Sequence, residues 1–196
     1  FSDLRGEINP MPGKTLELNP ENIEQIMEYK KGRQAFVALS MLYPNLKYNE
    51  IEFDQDHIHP SFLFTEKKLK EAGKSFDEIE KLRKMKDQLP NLQMMEGRKN
   101  RQKNKTPFDD WLEKNFYNEN KMKQKEKQKS DKSSKLSTIY DSGPLNQTRN
   151  VKTSKEVYLE TNYIPKNIDY NINNFELFFQ KRKVILIREL TKILDN

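Results

Sequence analysis

The chain contains no cysteine. Disulfides, thiolate nucleophiles and cysteine-ligated zinc or iron–sulfur centres are therefore excluded. Histidine is almost as scarce, with only His57 and His59 present, so any imidazole chemistry must run through one short segment. No apolar run approaches the roughly 20 residues needed to cross a bilayer, and no leader-like pattern opens the chain. A cytoplasmic protein without a membrane partner is the expectation. Apolar residues are also sparse: 34% of the chain is hydrophobic and another 34% charged, with a mean hydropathy of −1.03. A modest core with solvated segments follows. The balance of 36 Lys+Arg against 30 Asp+Glu leaves a net charge of +6. That is a mild bias towards polyanions, compatible with nucleic acid but not diagnostic of it. The first of the 196 residues is Phe1, which reads as a piece of a longer polypeptide.

Four stretches differ in character. Residues 1–47 predict a helical scaffold: an irregular lead-in, then a helix capped by Asn19 with Pro20 at its first position, broken at Gly32, then a second helix that stops by Pro44. Residues 48–118 predict two short strands separated by helices. The first strand lies within Tyr48 to Pro60. Two helical pieces parted by Gly73 fill Thr65 to Lys86. The second strand follows Pro90, a basic helical turn carries Asn100, and Phe108, Trp111, Leu112 and Phe116 recur at helical spacing. Residues 119–150 hold Lys121, Lys123, Lys125, Lys127 and Lys129, then several serines, and read as a solvated linker or an electrostatic tether. Residues 151–196 predict loops up to Asn173 and a packing helix after Asn174, with Phe175, Phe178, Phe179, Val184, Ile185, Ile187, Leu190 and Leu194 on its apolar face. The fold class expected is α+β, predominantly helical, with a small ββα unit among helices.

The residues capable of chemistry lie in two places. One is Asp56-His57-Ile58-His59-Pro60. The other runs from Leu89-Pro90-Asn91 through Glu96-Gly97-Arg98-Lys99-Asn100 to Arg101 and Lys103. An acid and a histidine on one strand, an asparagine opening a second, and another asparagine in a basic helix resemble the ββα-metal, or HNH, nuclease signature. More broadly, the chain is similar to the C-terminal HNH region of GmrSD-type restriction endonucleases. The similarity includes Pro107-Phe108 with Trp111-Leu112, and the closing segment Asn174-Phe175-Glu176 through Phe179, Lys181-Arg182 and Ile185-Leu186. His59 stands where that family often has a plain hydrophobic residue, and Ser61-Phe62 replace a polar pair.

The resemblance implies a metal-dependent endonuclease acting on DNA in a restriction or phage-defence system. It implies His57 as the base that takes a proton from water, and Asp56 and Asn100 as ligands of a divalent metal, Mg²⁺ or alternatively Mn²⁺. Asn91 would orient the loop or the imidazole of His57. Arg98, Lys99, Arg101 and Lys103 would contact phosphates. His59 is either a packed strand residue or an accessory group, and Asp54 is a surface carboxylate. Loop tyrosines, among them Tyr140, Tyr158, Tyr163 and Tyr170, pack on the helices or stack on bases. An N-terminal nucleotide-hydrolysing domain outside this chain would be the partner. The alternative is a non-catalytic module that binds nucleic acid or docks to that domain.

Overall fold

In the computed structural model of the chain, residues 22–116 and 154–195 are described. The lead-in with Asn19 and Pro20, the lysine-rich stretch and Tyr140 lie outside the described residues. The first helix, α1 (Ile23–Ile26), is a single turn that buries Ile23 and Ile26. Gly32, at φ +149°, then redirects the backbone, a conformation that side chains disfavour. Helix α2 (Arg33–Leu42) follows and buries Ala35, Ala38, Leu39 and Leu42, the i, i+3, i+4, i+7 stripe of an amphipathic helix.

Strand β1 (Phe53–His57) pairs antiparallel with β2 (Leu92–Glu96), in a register running from Phe53↔Glu96 to His57↔Leu92. The chain between them forms a 3-10 turn (Ser61–Phe64), α3 (Glu66–Glu71), α4 (Phe76–Met85) and a second 3-10 turn (Leu89–Asn91). The break at Gly73 is where the sequence placed it, and Ser75 opens α4 with a reciprocal capping box to Glu78. Helix α5 (Gly97–Lys103) starts directly where β2 ends. Helix α6 covers 108–116. Among the described residues the architecture is thus mostly helical around one two-stranded antiparallel sheet.

Two further helices follow, α7 (Ser154–Thr161) and α8 (Phe175–Leu194). Helix α7 corrects the expectation of loops up to Asn173. It buries only Leu159, so its sequence carries no apolar period from which a helix could be read. Helix α8 ties two cores together. Leu186 and Leu190 pack with α1, α2 and β2, while Phe175, Phe178 and Phe179 pack with Ile58, Phe64, Phe108 and α4. Its buried stripe passes through Arg182, and Val184 is 67% exposed, contrary to its place on the expected apolar face. Positions 178, 179, 182, 186 and 190 follow the 3.6-residue period, whereas 184 falls outside it.

Arg182 is fully buried. Its Nη1 donates to the carbonyls of Pro90 at 2.8 Å and Leu92 at 2.7 Å, and Nη2 donates to that of Asn162 at 3.1 Å. One guanidinium therefore braces the turn that carries Asn91 against the end of α7.

Candidate active site

Successive strand residues point to opposite faces, and β1 divides its polar side chains accordingly. Asp54 and Asp56 face α5. Asn100 Nδ2 donates to Asp54 Oδ2 at 2.9 Å. One helical turn on, Lys103 Nζ donates to Asp56 Oδ2 at 2.8 Å and also reaches the His57 carbonyl. Positions 100 and 103 share a helix face, which is why both meet the strand. Asp56 Oδ2 accepts a further bond from Gln93 Nε2 at 2.8 Å, and the Tyr158 hydroxyl donates to Gln93 Oε1 at 2.8 Å. A buried polar chain thus runs from α5 through both strands to α7.

This geometry corrects three site expectations. Lys103 is fully buried and is not a phosphate contact. It is the counter-ion of Asp56, which offsets the cost of enclosing both charges. Burial draws the Lys103 pKa down, and Asp56 acts in the opposite direction. Asp56 itself, 7% exposed, has an ammonium and an amide on one carboxylate oxygen, where the resemblance implied a metal. The carboxylate that Asn100 meets is Asp54, and the assignment of Asp54 as a plain surface group does not hold.

Gln55 and His57 face the other way. His57 Nε2 lies 2.9 Å from Asp87 Oδ1. A carboxylate only accepts, so Nε2 carries the hydrogen, and in the neutral ring the lone pair sits on Nδ1. Burial lowers the His57 pKa below the ordinary 6.5; the Asp87 hydrogen bond and the Asp56 charge act upward, and the Lys31 charge acts downward. The ring is therefore neutral at pH 7 and able to accept a proton. For Asp87, burial acts upward, but hydrogen bonds from Lys86 and His57 outweigh it and keep the carboxylate below its usual range.

Asn91, fully buried, fixes this arrangement. Its Oδ1 accepts from the His59 amide at 3.0 Å, and its Nδ2 donates to the carbonyls of His59 at 3.1 Å and Lys86 at 2.7 Å. One amide thus joins the backbone after His57 to the backbone before Asp87. All three bonds run to backbone atoms rather than to the imidazole.

His59 belongs to the core, which selects the packed alternative over the accessory one. It is fully buried among Phe108, Phe175 and Phe178, and its Nε2 donates to the Tyr170 carbonyl at 2.9 Å. Burial pushes its pKa down from 6.5 to about 4. As pH falls below 6.5 the unfolded chain takes up this proton while the folded chain resists, so stability declines down to pH 4. The loss at pH 4 is about 3 kcal/mol. A His59→Phe variant is expected to lose that component of the pH dependence in urea titrations, and an unchanged acid slope would refute it. Tyr158, Tyr163 and Tyr170 pack within the fold, the first of the two roles considered for them.

Arg98, Lys99 and Arg101 are exposed on α5, as phosphate contacts require. Lys99 pairs with Glu96 at 3.1 Å. Gly97 opens the helix beside Asp54: a Cβ there would lie 3.4 Å from both Asp54 Oδ2 and Arg101 Nη1. The missing side chain leaves room next to the carboxylate. Among the described residues no group of three or more His, Cys, Asp or Glu side chains could enclose a metal. A cation here would have one hard anionic oxygen from Asp54 and one neutral oxygen from Asn100, once that amide turned over. Such a donor set suits Mg²⁺, which keeps most of its waters.

Asp87 was missed in the sequence because it stands 30 residues from His57, outside any motif spacing. Asp54 carried a signal, since i, i+2 alternation puts it on the face of Asp56. Compared with known proteins, the chain matches no family model and no curated protein.

Proposed function

We propose that the chain is a metal-dependent phosphodiesterase domain of HNH type that hydrolyses DNA. The observation that carries this reading is the two-stranded ribbon running straight into a helix, with a strand carboxylate on a helix asparagine and, at the strand end, an imidazole whose Nε2 is held by a carboxylate. A base and a cation are the parts needed for in-line attack of water on phosphorus. Because His57 ends β1 on the face opposite Asp54, the attacked phosphate would lie at that strand end, where the two faces meet. His57 Nδ1 takes the proton of the attacking water as its oxygen bonds to phosphorus, and the bond to the 3′ oxygen breaks. That oxygen leaves and is protonated from solvent, giving 3′-hydroxyl and 5′-phosphate ends. Asp87 holds the ring in the required tautomer and stabilises the imidazolium that forms. Asp54 and Asn100 would hold the divalent cation, which supplies charge stabilisation on the phosphate oxygens. Arg98 and Arg101 contact the flanking backbone. A bacterial restriction or phage-defence role and an N-terminal nucleotide-hydrolysing partner domain belong to the same proposal, on the resemblance of the motifs.

The ammonium on Asp56 favours a second reading, a binding or docking module that retains this fold without catalysis. Nicking of supercoiled plasmid separates the two. The purified chain is expected to convert it to open circles with Mg²⁺ or Mn²⁺ and to stop when EDTA is added. Binding of DNA without nicking under either ion would leave the module.

A further inference from the structure

The segment before α2 is fastened to the histidine face of the sheet. The Lys31 amide donates to the Asp87 carbonyl at 2.9 Å, and Lys30 bridges to Gln88 in antiparallel fashion. The Gly32 amide donates to Gln55 Oε1 at 2.9 Å, and Gln55 Nε2 returns a bond of 2.9 Å to the Gly32 carbonyl. Gln55 shares its strand face with His57. Four attachments therefore seat Lys31 on the rim of the His57–Asp87 pair. Lys86, the other nearby cation, is engaged by Asp87. Lys31 is exposed and takes part in no ion pair among the described residues.

An exposed ammonium on a backbone fastened beside the proposed base is suited to contact a phosphate near the one attacked. We infer that Lys31 binds a phosphate of the nucleic-acid backbone adjacent to the one attacked, setting the strand in line with His57. This rests on the nuclease reading and adds a contact from the N-terminal helical segment, outside the motif residues. The Lys31 charge also acts on the His57 ring, as a nearby cation must. Asp87 and Asp56 act on the ring in the opposite direction, and Lys86 acts on Asp87.

Binding of duplex DNA in EDTA, measured against salt concentration, tests the inference. Lys31→Gln is compared with Lys67→Gln, an equal loss of charge on the exposed side of α3. One lost phosphate contact lowers the slope of log K against log salt by about 0.9. That decrease is expected for Lys31→Gln alone, with Lys31→Arg near the parent. His57, followed by NMR, is expected to titrate at higher pH in Lys31→Gln than in the parent. An unchanged slope, or equal decreases in the two glutamine variants, would overturn the inference. Binding by the parent without nicking would remove the nuclease reading and leave the Lys31 result standing, whereas no binding by the parent would remove both.

Discussion

Lys103→Met is expected to destabilise the folded chain by about 3–5 kcal/mol. The substitution keeps much of the side-chain volume but removes the ammonium from Asp56, which lies 7% exposed with Gln93 as its other partner. The carboxylate is then buried without a counter-ion, and the His57 carbonyl loses a donor. Urea unfolding of the single variants and of the Lys103→Met, Asp56→Asn double variant would measure the coupling. The double variant should be well above the sum of the singles, because removing both charges removes the uncompensated one. Additive losses, or a Lys103→Met midpoint equal to the parent's, would mean that Lys103 is not the counter-ion of Asp56.

Asp87→Asn is expected to lower the rate of DNA cleavage by roughly 10²-fold or more, within the contribution of a positioned general base. Asparagine is nearly isosteric, so the loop should survive. Its amide can donate to Nε2, however, which stabilises the tautomer with hydrogen on Nδ1, the atom that must accept the proton. The imidazolium also loses its anionic neighbour. The effect should fall on the single-turnover rate and leave DNA affinity near that of the parent, and the His57 pKa should drop further. Full activity in Asp87→Asn would remove Asp87 from the mechanism.

Much of the architecture could be read in advance because it rests on local rules. The break at Gly73, the short strands and the aromatic face of α8 each follow from periodicity or from residues with restricted backbone. The ββα order followed from the motif sequence Asp56-His57, Asn91, Asn100, whereas the antiparallel pairing and its register are seen only in the structure. What escaped depends on contacts between distant segments. Asp87 meets His57, Arg182 meets the Asn91 turn, and Lys103 turns inward to Asp56 only because α5 follows β2 without a loop. A lysine in a basic cluster looks like a surface charge in one dimension. Its neighbours Arg98, Lys99 and Arg101 are indeed exposed, and a three-residue offset from Asn100 separates it from them. Helix α7 escaped for the opposite reason: it buries too little for its sequence to show a pattern.

The proposed hydrolysis depends on the imidazole at the end of β1. The most direct measurement is single-turnover cleavage of plasmid DNA in Mg²⁺ by the parent and by His57→Ala, with the unfolding midpoint recorded for each. The expected result is a rate lower by roughly 10²–10⁴ in the variant, with cooperative unfolding retained and DNA still bound. Cleavage by His57→Ala at the parental rate would contradict the account.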